Sequence, residues 1–331
     1  MTIFQFVHNT LLSWLSVTNK YTLVFHKQFT IVILSICFLC PFTIISPNSQ
    51  QELDVKANQV MEQYIENGKN LSNLDLSDTN LSSLNLQGAV VINTDLSGAD
   101  LSGANLANTT VINTNVSGVN LNNTNLSCAN LSKLNLSGAN LSGANLTNAN
   151  LSDVDLNGAI LTGANLANIN LSGANLTNAD LSGVDLNGAI LTGANLANTN
   201  LSGTSLSRSV LNGAILNGAI LTNAKLDFIN LTDANLINLN LSYIDLSHAN
   251  LASAKLDNVD LSDTNLNHAN LINIKLNNVN LTNANLTHAN LNRAKLTNID
   301  LTNTNLSHAK LNGIDFNDID LSDAILINTS F

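Results

Sequence analysis

Proline is nearly absent from this chain. Its 331 residues include two, Pro41 and Pro47, so beyond residue 47 every residue keeps a backbone N–H and an unbroken main-chain ladder is possible. Cysteine is almost as scarce. Cys37, Cys40 and Cys128 cannot make a disulfide framework. Aromatic residues are 4% of the chain with a single Trp, which excludes an interior built on large rings. Charged residues are 11%, with 12 Lys and Arg against 23 Asp and Glu. The net charge of −11 has the wrong sign for a nucleic-acid-binding surface. There is no Gly-rich phosphate loop, nucleophile elbow, HExxH or Cys/His cluster of metal spacing.

What the chain has in excess is leucine at a fixed period. From Leu71 to Phe331 a large apolar residue stands on every fifth position, (331 − 71)/5 + 1 = 53 in all, and 48 are Leu; the others are Val91, Val111, Val116, Phe316 and Phe331. A helix advances about 100° per residue, so a period of five drifts and makes no stripe. A flat strand alternates faces and throws an odd period onto both sides. A chain that turns a corner every five residues restores the inward direction each time. Two residues before each Leu the chain prefers small or β-branched side chains, such as Ala99, Ala104, Val119 and Ala139, and just before it usually stands Asn or Asp. Of the 17 Gly, all but Gly68 lie two residues after the Leu, sharing that slot with Asn, Asp, Ser and His. These types tolerate φ > 0, so the slot is the expected corner.

Units such as Ala99-Asp100-Leu101-Ser102-Gly103 and Ala139-Asn140-Leu141-Ser142-Gly143 resemble the A(D/N)LXX consensus of pentapeptide repeat proteins. The resemblance covers residues 69–331. It implies an all-β, right-handed quadrilateral β-helix, with four pentapeptides per coil, Leu and the small residue inward and the other three outward. His248, His268, His288 and His308, and Lys255, Lys275 and Lys295, independently repeat at the 20-residue spacing of such a coil. Residues 148–170 and 178–200 are near copies offset by 30, or one and a half coils. Fifty-three repeats make about 13 coils, a rod on the order of 60 Å long at the ladder spacing of β-structure, stabilised coil by coil as solenoids are. A narrow interior of Leu and Ala leaves no room for a ligand, and no cofactor is expected.

Three segments are expected: an N-terminal signal or anchor region over 1–50, a capping helix over 51–68 and the solenoid over 69–331. Residues 29–46 run 18 positions without a charge, about 27 Å as a helix, enough to cross a bilayer core. This is either an uncleaved single span or a signal peptide with a long n-region; the residues around Pro47 make a poor cleavage site. Lys20 and Lys27 precede the span, and no Lys or Arg follows it closely, which predicts a rod on the non-cytoplasmic side. Cys37 and Cys40 fall inside this run and lack the polar setting that makes thiolates. Val55, Val60, Met61, Tyr64 and Ile65 recur near helical spacing ahead of Gly68 and would cover the first coil. The C-terminal coil has no such cover. Phe316 and Phe331 are candidates to plug it, and its open edge is where a homodimer could form, as the resemblance suggests.

Function must therefore lie on the outer surface. Leu71–Phe331 holds 19 Asp and 8 Lys or Arg (19 − 8 = 11), and one face carries seven Asp and no base: Asp100, Asp180, Asp260, Asp263, Asp300, Asp320 and Asp323. Some pentapeptide repeat proteins resemble DNA and bind DNA gyrase, so an acidic-face inhibitor or protector of gyrase is the alternative reading. Duplex DNA would hold on the order of 35 charges over such a length, and this rod falls well short. A second candidate is the corner column Arg208, Phe228, His248, His268, His288 and His308. Stacked at about 4.8 Å, it reads as a structural ring ladder, a weak metal site using two His from adjacent coils, or a pH-dependent surface. A third is a band of outward apolar residues, Ile160, Ile190, Val210, Ile215 and Ile220, of which Val210, Ile215 and Ile220 wrap one coil. Asp245 and His248 are close but outward in water, with nothing to shift a pKa. The reading is a non-enzymatic, exported or membrane-tethered interaction rod whose protein partner the sequence does not name.

Overall fold

The computed structural model describes residues 69–331. The proposed membrane segment at 29–46 and the capping helix at 51–68 lie outside the described residues. Among the described residues no helix is long and apolar enough to cross a membrane. All regular structure among them is β. β1 (Val90–Ile92) pairs with β2 (Thr110–Ile112), and β3 (Lys255–Asp257), β4 (Lys275–Asn280) and β5 (Lys295–Asp300) form a second sheet. Every pairing is parallel and joins residues 20 apart, as in Val91↔Val111 and Leu276↔Leu296. Single bridges such as Asn105↔Asn125, Asn150↔Asn170 and Asp180↔Asn200 carry the same register along the rod. Bridges fall every fifth residue, so each 20-residue coil has four sides, as the period implies.

The unit Leu101–Asn105 shows why this pentapeptide suffices. Its five amides all find acceptors. Leu101 and Gly103 donate to Asn120 O and Asn122 O on the next coil, and Asn105 donates back to Leu84 O. Ala104 closes a turn on Leu101 O at 3.0 Å. The remaining amide, Ser102, donates to the side-chain Oδ1 of Asp100 at 3.0 Å. Where Asn or Asp precedes the Leu, its side chain can thus satisfy the one N–H that the ladder leaves over. It has a further use: Asn120 Nδ2 donates to Asp100 Oδ1 at 2.9 Å, and the chain Asn145 to Asn125 to Asn105 to Asn85 runs through three coil steps.

The turn requires positive φ at its third residue. Every corner from Asn73 to Asn328 has it, between 52° and 78°, except Asp318 and Asp323. At Gly98 and Gly143 an added Cβ would also run into the side-chain oxygen of the residue 20 positions earlier, Asp78 and Asn123 respectively.

Leucines and small residues fill one continuous core from Leu71 to Leu311. Where a Thr replaces the small residue, its hydroxyl donates to a backbone carbonyl, in several cases that of a Leu 23 positions earlier: Thr94 to Leu71 at 2.7 Å, Thr199 to Leu176 at 2.7 Å, Thr264 to Leu241 at 2.8 Å; Thr79 and Thr109 donate instead to the Leu three residues before them. The buried hydroxyl is therefore satisfied at no cost to the ladder.

The regularity fails in the last coil. Asp315 and Asp320 make no bridge, Asn303 N–H bonds Asp323 O rather than Ser322 O, and the ladder resumes at Asn305↔Ile325. Ile314 and Phe316 stand where the coil before has Ala294 and Leu296, so the interrupted coil carries more side-chain volume at these two slots. Phe316 is half-buried, while Phe331 is 59% exposed and meets it edge-on at 5.6 Å. The expected plug is thus half realised: Phe331 lies over the end and leaves it open to solvent.

Candidate functional site

The corner column is built by the fold. His248, His268, His288 and His308 have φ of 58° to 61°, and each backbone amide is tied to the next coil, as in His268 to Thr287 O at 3.0 Å. Four identical backbones therefore project four imidazoles in register. Ring centroids are 5.0, 4.7 and 4.7 Å apart, with planes within 14° of parallel. Phe228 extends the stack below His248 at 4.5 Å and 3°, and the Arg208 guanidinium lies 5.7 Å from the Phe228 centroid. The column is about 24 Å long. All six side chains are exposed.

His288, in the middle, titrates below the ordinary imidazole value. Partial desolvation between its neighbours is the larger cause, and the charges of His268 and His308 are the second. A base with a depressed folded-state pKa takes up more protons when unfolded. It contributes stability above its unfolded pKa and loses it as pH falls through that value toward the folded one. We expect His288 to titrate in NMR below the ordinary imidazole value, and H288N to reduce the loss of thermal stability between about pH 7 and 5.

The acidic face is discontinuous. Asp100, Asp180 and Asp260 are each four coils apart, about 19 Å. Their carboxylates accept the side-chain amides of Asn120, Asn200 and Asn280, and Asp263 likewise accepts from Asn283. Asp300, Asp320 and Asp323 gather where the last coil separates, lining a cleft of about 400 Å³ with Asn280, Asn298 and Thr302. The hydroxyl and amide of Thr302 hold Asp300 below the usual carboxylate range, and the amide and hydroxyl of Ser322 do the same for Asp320. Sequence reasoning did not anticipate this cleft.

The apolar band is divided among faces. Val210, Ile215 and Ile220 follow one another around a single coil, and Val210 bridges Ile190 on its own side. Ile160, Ile190, Ile215 and Ile220 are exposed, Val210 half-buried. Lacking an oxygen, they give the amide two residues on no side-chain acceptor. Cys128 is an exposed free thiol at a corner. Among the described residues no three His, Cys, Asp or Glu side chains converge on one point.

The pentapeptide repeat model matches in 8 copies between residues 67 and 267, and a second pentapeptide repeat region matches 252–326. The chain is a pentapeptide repeat protein. Members of this family form right-handed β-helices. Among solved structures, the pentapeptide repeat protein is similar to HetL of the cyanobacterium Nostoc, which is involved in heterocyst differentiation regulation. The two are 27% identical over 82% of this chain and 92% of HetL, with a TM-score of 0.30. The fluoroquinolone resistance protein QnrB1 is 17% identical over 61% of this chain and 88% of its own, TM-score 0.28. Rfr23 of the cyanobacterium Cyanothece is 36% identical over 34% of this chain and 85% of its own, TM-score 0.21. Among curated proteins none matches it.

Proposed function

We propose that this pentapeptide repeat protein is a non-enzymatic interaction rod, held at a membrane or exported, that offers its outer surface to a protein partner. The observation that carries this reading is the filled core: leucines and small residues occupy the interior from end to end, so all remaining chemistry is external. The exterior is mostly carboxamide and hydroxyl ladders already bonded to one another, and the ring column stands out from them. The uncharged run at 29–46 supports placement at or beyond a membrane.

Fractionation of cells producing the full chain tests the placement, combined with mass spectrometry of the mature N-terminus. The expected result is either an intact chain that resists alkaline extraction from membranes or a shortened chain outside the cytoplasm. An intact, freely soluble cytoplasmic protein would overturn it.

A further inference from the structure

We propose that adjacent imidazoles of the corner column form bidentate sites for a divalent transition metal such as Zn²⁺, two ions per chain, each ion bridging neighbouring coils. This goes beyond the interaction rod and does not depend on where the rod resides.

Register makes the site. The four His backbones are pinned by their own ladder bonds and share one φ, so the rings differ only in their own torsions. Their centroids are 4.7 to 5.0 Å apart. Zinc takes imidazole nitrogen at about 2.0–2.1 Å, which sets two nitrogens of a tetrahedral site about 3.4 Å apart. The outer nitrogens of two stacked rings therefore need to close by a little over about 1 Å, which rotation of exposed side chains supplies. Water completes the shell, consistent with the absence of a third converging donor among the described residues.

The surroundings suit neutral donors. The residues before the four His are Ser247, Asn267, Thr287 and Ser307, and those two after the first three are Asn250, Asn270 and Asn290. Asn270 Nδ2 already donates to Asn250 Oδ1 at 3.0 Å. The charged groups closest in sequence are Asp245 at one end of the column and Lys310 at the other.

Two double variants with the same composition provide the test. H248N/H308N keeps the adjacent pair His268 and His288. H268N/H288N keeps His248 and His308, three coils apart. Asn suits the corner, as Asn108, Asn148 and Asn328 do in the same column. Full-length chains are titrated with Zn²⁺ by calorimetry at pH 7.5, after circular dichroism and melting without metal show that both variants are folded. His8, His26 and the three Cys contribute equally to every chain. Relative to H268N/H288N, the wild type should bind two more ions and H248N/H308N one more, about 100-fold tighter than a single imidazole, with a melting temperature that rises on adding metal. Equal uptake by the two doubles, or a wild type indistinguishable from H268N/H288N, would overturn the proposal.

Discussion

Truncating Leu181 to Ala should destabilise the rod by about 3–5 kcal/mol, at the upper end of the usual range for a buried Leu. Leu181 is fully buried, and Leu161 and Leu201 above and below it in the column are equally so. The cost depends on whether neighbours can move into the space left. Here they are held off, because Leu181 N bonds Asn200 O at 2.9 Å and Leu161 N bonds Asp180 O at 2.8 Å, fixing the coil spacing. The Leu181 carbonyl also accepts the Thr204 hydroxyl at 3.1 Å. Collapse would have to break those bonds, so the cavity stays. Leu321 offers the contrast: it is half-buried in the coil whose ladder is interrupted, and L321A should cost about 1 kcal/mol or less. Urea melts of the two variants, run beside the parent, check the difference. Equal losses at the two positions would mean that coil spacing is not what keeps the cavity open.

Most of this architecture could be read from the residue pattern because each slot of the pentapeptide has one physical job. Leucine every fifth residue requires corners, and Gly or Asn two residues later shows where they are; the two corners without positive φ, Asp318 and Asp323, lie in the disturbed coil. The 20-residue repeat of His248 to His308 foretold the ring stack, since register alone places equal residues above one another. The opening of the last coil was less legible. Ile314, Phe316, Ile319 and Leu321 keep the hydrophobic pattern of the earlier coils, so the pattern does not mark this coil as different. The acidic face was legible as a count; its spacing, with four coils between Asp100 and Asp180 and again between Asp180 and Asp260, and a cluster of Asp300, Asp320 and Asp323 at the end, follows from the 20-residue register. The apolar band likewise reads as one feature in sequence and turns two corners in space, at Gly213 and Gly218. Residues 1–68 were read for their hydropathy, which speaks to membrane insertion and not to how they meet the first coil.

Replacing Asn200 by Pro should divide the rod into two melting units. Asn200 holds its coil to the one before it by two bonds, N–H to Ala179 O at 2.9 Å and Nδ2 to Asp180 Oδ1 at 3.0 Å. Its Oδ1 also accepts the Ser202 amide at 3.1 Å and the Ser202 hydroxyl at 2.8 Å. Proline removes all four and places a ring against the neighbouring strand, at about 3 kcal/mol or more. N200A removes the three side-chain bonds and keeps the ladder amide, so it should cost about 1–2 kcal/mol. The two variants thus separate the side-chain contribution from the backbone one. In a solenoid, stability is passed between neighbouring coils, so a loss at one interface weakens the coupling of everything on either side. With about six coils before position 200 and six after, each part is large enough to stay folded once uncoupled. The expected record for N200P is a thermal or urea transition in two steps, where the parent and N200A show one. A single transition shifted down uniformly would show that coupling through the other three faces of the coil is enough, and that the leucine column, rather than the hydrogen-bond ladder, carries cooperativity along the rod.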